Sequence, residues 1–141
     1  MRFMILVKAT QDSEAGKMPP ESLFAEMGKY HEELKKAGLL LDAAGLKPSR
    51  KGWRIKYDGK KRTLVDGPFT ETKELVAGYT IIQAKSREEA IEWTRRFPNP
   101  SIDGVKGEIE VREFYELEDF AQSKEIERFR RMETERKAAR E

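Results

Sequence analysis

One imidazole and one crowded loop hold most of the chemistry available to this chain. His31 is the sole histidine, and there is no cysteine. An imidazole titrates near neutral pH, so a His at the rim of a buried helix face suits a general acid or base that keeps access to water. The loop is Asp66-Gly67-Pro68-Phe69-Thr70-Glu71-Thr72-Lys73-Glu74, which places four ionisable side chains within nine residues. In one reading Asp66 serves only the turn, by accepting backbone N–H groups. Glu71, Lys73 and Glu74 either pair among themselves or work on a ligand. In the second case Lys73 holds an anion, and Glu74 exchanges a proton with a pKa raised by its carboxylate neighbour. Arg112, in a late strand, is a third candidate, because a guanidinium inside a cavity binds carboxylates well.

Other chemistries are excluded by what is absent. Without cysteine there is no thiolate nucleophile, disulfide or thiolate metal site. A single His leaves no multi-His metal centre. The sequence has no Gly-rich phosphate loop, no nucleophile elbow, no HExxH and no acidic calcium loop. No metal or organic cofactor is therefore expected. Lys and Arg number 28 against 26 Asp and Glu, a net charge of +2, which gives no long-range field for nucleic acid or an anionic membrane. Direct nucleic-acid binding is not expected. The opening apolar run, Phe3 to Val7, is too short for a signal peptide or a membrane span. A cytoplasmic protein is the expectation.

These groups need elements to position them. Phe3–Val7 is continuously apolar and reads as a central strand covered on both faces. Pro19-Pro20 opens a helix whose stripe is Leu23, Met27, Tyr30, Leu34 and Ala37, closed by Gly38. His31 lies beside that stripe. Leu39–Ala43 reads as a strand interrupted by Asp42, which is costly if buried unpaired. Trp53, Ile55 and Tyr57 alternate with Arg54 and Lys56, as in a half-buried strand, and Asp58-Gly59 turns into the partner strand Arg62–Val65. Gly78–Ala84 is the next strand. Ser86 and Glu89 form a capping-box signature for a helix carrying Ala90, Trp93, Thr94 and Phe97. Ile109, Val111 and onward to Leu117 alternate as the last strand, with Glu108, Glu110 and Arg112 on the opposite side. Trp53 and Trp93 are expected in the core, and Phe69 is expected to plug its turn onto the body.

The order β-α-β, hairpin, β-α-β predicts a ferredoxin-like α+β sandwich with an inserted β-hairpin. Helices on one sheet face leave the other to be covered, most simply by a second copy. Together with Gly78, the Asp66–Glu74 stretch resembles the signature of the DGPF branch of the YCII-related proteins. That resemblance covers about residues 1–117 and implies a dimeric α/β barrel. In the broader family a His on the first helix and an Asp on the next strand are proposed as a dyad, which His31 and Asp42 match by element. With the residues above, the expectation is a small, anionic organic ligand, bound or converted by His-based acid–base chemistry without a cofactor. Isomerase, lyase or hydrolase chemistry would fit. The alternative is a non-catalytic, ligand-sensing or protein-interaction module linked to transcription regulation.

Residues 118–141 lie outside the resemblance. They hold seven acids and seven bases, several three or four apart, and a thin apolar stripe of Ile126, Phe129 and Met132. A charged helical extension is expected there.

Overall fold

In the computed structural model, which describes residues 1–140, the elements follow the expected order. Strands β1 (Arg2–Lys8), β2 (Leu40–Gly45), β5 (Val76–Gln83) and β6 (Ile109–Glu113) form one antiparallel sheet in the spatial order β2-β5-β1-β6. Helices α2 (Glu21–Lys36) and α3 (Arg87–Arg95) pack on one face of it. This is the ferredoxin-like α+β arrangement. Strands β3 (Trp53–Asp58) and β4 (Lys61–Asp66) stand apart as a two-stranded ribbon.

The core follows from the period-2 pattern of the strands meeting the helical stripe of α2. Phe3 and Ile5 of β1 and Ile82 of β5 point toward the helices and meet Tyr30, Leu34 and Ala90. Ile5, Leu34 and Ile82 are fully buried. Truncating one such side chain to Ala costs about 2–5 kcal/mol. Tyr30 satisfies its hydroxyl by donating to the Trp93 carbonyl at 2.6 Å, which ties α2 to α3. Helix α2 ends in a Schellman motif: Gly38 sits at φ 78°, its N–H reaches Lys35 O, and the Leu39 N–H reaches Leu34 O. Ser86 caps α3 by accepting the Glu89 N–H at 3.1 Å, but the reciprocal Glu89 bond of a full capping box is not made.

Several expectations need correction. Between β1 and α2, where no element was expected, lies a short helix, α1 (Gln11–Glu14), capped by Thr10. The third strand is not half-buried: Trp53 is 65 % exposed, because the ribbon leaves the body instead of lying on it. Trp93 does pack against the core. β6 stops at Glu113, and Leu117–Asp119 form a 3-10 turn. The extension is helical as α4 (Lys124–Arg140), while Glu141 lies outside the described residues. Its Glu133–Lys137 pair forms at 3.1 Å, and Glu127 pairs with Arg130 at 3.5 Å. Phe129 and Met132 are 53 % and 48 % exposed, so the thin stripe is not buried.

Candidate functional site

The sheet separates the residues that the sequence singled out. His31 projects from α2 onto the helix face of β5. Its Nδ1 lies 2.7 Å from Met27 O and its Nε2 lies 2.8 Å from Thr80 Oγ1. A carbonyl can only accept, so Nδ1 carries the proton. In the neutral ring Nε2 is then the acceptor, and the Thr80 hydroxyl donates to it. Thr80 is 2 % exposed, and Tyr30 and Phe97 stand edge-on to the imidazole at centroid distances of 5.7 and 6.2 Å. Both ring nitrogens are occupied inside the chain, which makes His31 a latch between α2 and β5.

Asp42 lies on the other face. It pairs in register with Ile81, and its Oδ2 accepts from the Tyr79 hydroxyl at 3.3 Å while Oδ1 accepts from the Ala43 N–H at 2.9 Å. Tyr79 and Ile81 alternate with Thr80, so Asp42 and His31 are divided by the sheet. Among the described residues the expected His31–Asp42 contact is not made and no loop carboxylate takes its place: His31 bonds to Met27 and Thr80.

The register brings a different pair onto one surface. Asp42 is opposite Ile81, Ile81 opposite Met4, and Met4 opposite Arg112, so one row crosses all four strands. The neighbouring row is Ala44, Tyr79, Leu6 and Glu110. At ~4.8 Å per strand the row spans about 14 Å between its charged ends. The face is thus an apolar floor of Met4, Leu6, Ile81 and Tyr79. Asp42 rims one side, and Arg112 with Glu110 rims the other. Arg112 Nη1 lies 3.2 Å from Glu110 Oε2 with its side chain 72 % exposed, so the guanidinium keeps donors free. The Asp42 carboxylate beside Tyr79 raises the phenol pKa above its ordinary value, which keeps Tyr79 a hydrogen-bond donor.

The loop residues do not gather into a site. Asp66, Glu71, Lys73 and Glu74 are exposed, and no ion pair joins them among the described residues. What the loop does is dock. The Gly67 N–H reaches Gly52 O, the Phe69 N–H reaches Ser49 Oγ, and Ser49 is in turn held by the Glu14 carboxylate through its N–H and hydroxyl. A Cβ on Gly67 would lie 1.9 Å from Ser49 O, so only glycine fits. Phe69 sits under the Arg54 guanidinium at 3.7 Å, packed on the ribbon's base. Sequence reasoning passed over Tyr79 and Thr80. Their alternation in the β5 run was the available signal, since neighbours on a strand face opposite ways.

On the helix side an apolar cleft of about 330 Å³ opens between α3 and the β1–β6 edge, lined by Phe3, Ala90, Ile91 and Val111 with Arg87 and Glu113. His31 is not part of it. Among the described residues no cluster of three or more His, Asp or Glu side chains is placed to hold a metal ion, and no helix is long and apolar enough to cross a membrane.

A four-stranded antiparallel sheet has two helices on one face and a charged-rim apolar floor on the other, which defines a small α+β sandwich. The chain belongs to the YCII-related family: the model of the YCII-related domain matches residues 1–116. An uncharacterised protein of Rhizobium meliloti (strain 1021) is 28% identical over 92 residues, covering 65% of this chain and 73% of that protein. Among solved structures, a 5-chloro-2-hydroxyhydroquinone dehydrochlorinase from Burkholderia phenoliruptrix AC1100, in complex with 2,5-dihydroxybenzoquinone, aligns with a TM-score of 0.45 and 16% identity, over 82% of this chain and 94% of that one. At that level the likeness says nothing of chemistry.

Proposed function

We propose that this chain binds, and through proton exchange converts, a small organic anion on the open sheet face, with a second copy closing the site sheet to sheet. The observation that carries the reading is the row Asp42–Ile81–Met4–Arg112. Its floor accepts an apolar body, and Arg112 supplies bidentate donors for a carboxylate. Half-exposed Met4, Leu6, Tyr79 and Ile81 on one face call for a cover, and a homodimer supplies one of matching shape.

In this reading Asp42 takes a proton from the ligand as the general base, and the Tyr79 hydroxyl, released from Asp42, turns to donate a hydrogen bond to the oxygen on which the negative charge develops. The His-based version keeps His31 as the acid–base group. It requires Nε2 to leave Thr80, and therefore a rotation of the imidazole on substrate entry. Asp66, Glu71, Lys73 and Glu74 would then contribute only by reaching across the dimer. Residues 118–141 are an appendage to the 1–117 body, and the absence of cysteine suits a cytoplasmic setting.

Backbone amide shifts of the protein, followed while small aromatic carboxylates such as benzoate are added, test the reading. Shifts centred on Met4, Tyr79, Ile81 and Arg112 support it. Shifts confined to the Arg87–Glu113 cleft, or none with any carboxylate, contradict it.

A further inference from the structure

We infer that the β3–β4 ribbon is an arm that seats its apolar face on the acidic β6 edge of a second copy of this chain. The inference rests on the sheet-to-sheet dimer of the proposed function and extends it to an element that the two sheets do not involve.

The ribbon is built to be covered. Register places Trp53, Ile55, Tyr57 and Leu64 on one face, with Ile55 directly opposite Leu64. They are 65, 40, 64 and 59 % exposed. A lone two-stranded ribbon is marginal in water, and four large apolar side chains on one face are more than scattered surface residues. Its base is held firmly: Ser49 is fixed by Glu14, Phe69 is fixed by Ser49 and stacked under Arg54, and the tip turns tightly through Gly59 at φ 62° and Lys60. A firm root under an exposed face describes an arm better than a floppy insertion.

Charge says what covers it. Residues 47–62 carry eight bases and one acid, although the whole chain is nearly balanced. The complement is at the far edge of the same sheet, where residues 108–119 carry six acids and one base. Glu108, Glu113, Glu118 and Asp119 are exposed there. Tyr115 and Phe120, 76 % and 43 % exposed, stack at 5.1 Å and form an apolar landing patch within the acidic stretch. β2, which leads into the ribbon, and β6 are the two outer strands. A two-fold axis parallel to the strands in a face-to-face dimer lays the β2 edge of one sheet over the β6 edge of the other. Each arm then reaches its acidic site on the opposite copy, and the contact is made twice.

Basic ribbons with aromatics also serve nucleic acids, where bases stack on aromatic platforms. Here the two central positions are aliphatic, Ile55 and Leu64, and Arg62 already stacks on Tyr57 at 5.1 Å. That centre fits an apolar protein patch better than a base.

The test combines isotope-mixed cross-linking with sedimentation equilibrium. Equal parts of ¹⁴N and ¹⁵N protein are joined with a zero-length carbodiimide, and dimer dissociation is measured for the native chain and for Ile55→Glu, whose site is exposed and leaves the core intact. The expected result is mixed-isotope links from Lys51 or Lys60, at the two ends of the ribbon, to Glu113 or Glu118, with dimerisation at least tenfold weaker in the variant and an unchanged circular dichroism spectrum. A dimer unaffected by Ile55→Glu, with no mixed-isotope links from the ribbon, overturns the arm and leaves the two-sheet dimer standing. A native chain that sediments as a monomer overturns both. Salt-sensitive quenching of tryptophan fluorescence by a single-stranded oligonucleotide, absent in Trp53→Phe and unaccompanied by mixed-isotope links, assigns the ribbon to nucleic acid and overturns the inference.

Discussion

His31 Nε2 lies 2.8 Å from the Thr80 hydroxyl on the helix side of the sheet, while Asp42, the chain neighbour of the Ala43 that pairs with Thr80, points to the other side. The only imidazole of the chain is therefore tied into the packing between α2 and β5. Because Nδ1 faces the Met27 carbonyl, the neutral ring is held as the Nδ1–H tautomer. Nitrogen-15 shifts of the single histidine are expected to show a protonated Nδ1 and a bare Nε2. Thr80→Val preserves shape but strips Nε2 of its donor, at about 1–3 kcal/mol of stability. An Nε2–H tautomer, or a Thr80→Val protein as stable as the native one, contradicts the latch.

Asp42 and Tyr79 make a second linked pair. The carboxylate holds the phenol proton in place, so Asp42→Asn is expected to let one tyrosine ionise at lower pH. Absorbance at the phenolate band, followed upward in pH for both proteins, reads this directly. Identical curves would separate the two residues.

Tyr30 adds to the loss of stability at alkaline pH. Burial pushes its pKa from 10.0 up to about 12. The unfolded chain releases this proton first, so the stability it protects is complete below pH 10 and is lost as pH rises toward 12. Tyr30→Phe gives up the bond to Trp93 O, about 0.5–1.5 kcal/mol at neutral pH, and flattens the alkaline decline. Urea midpoints at about pH 8, 10 and 11.5, from below the decline to well into it, compare the two proteins.

Gly67 and Gly45 provide a contrast at one atom's resolution. Gly67→Ala drives a methyl into Ser49 O at 1.9 Å, whereas Gly45→Ala meets nothing within 4 Å. The first is expected to lower the melting temperature markedly and to release the Asp66–Glu74 loop to proteolysis. The second is expected to be near neutral. Equal behaviour would mean that the loop does not dock on Ser49.

The fold was legible because its signals are local and periodic. The stripe Leu23–Leu34 names a buried helix face and the apolar run Phe3–Val7 marks a central strand before any contact is known, although that strand was read as covered on both faces and Met4 and Leu6 are half-exposed. The site was less legible, because side chains meet through register. Sequence supplied Asp42 and Arg112 separately, but only the pairing of β2, β5, β1 and β6 lines them up and sets His31 behind the sheet. Trp53 misled for the same reason: its alternating strand looks half-buried, and nothing local says that the ribbon leaves the body. The Asp-Gly-Pro-Phe loop looked chemical, yet Gly67 and Phe69 are spent on docking.

The central claim is that the open sheet face, with Arg112 at its rim, holds a small organic anion. Isothermal titration of benzoate, or of a stronger carboxylate from the same shift-mapping series, into the native protein, Arg112→Met and His31→Gln tests it most directly. The account expects Arg112→Met to weaken binding at least tenfold and His31→Gln to leave it within about twofold, a difference of about 1 kcal/mol or more. Binding lost in His31→Gln, in a protein that still melts cooperatively, and kept in Arg112→Met would contradict it and return the site to the imidazole.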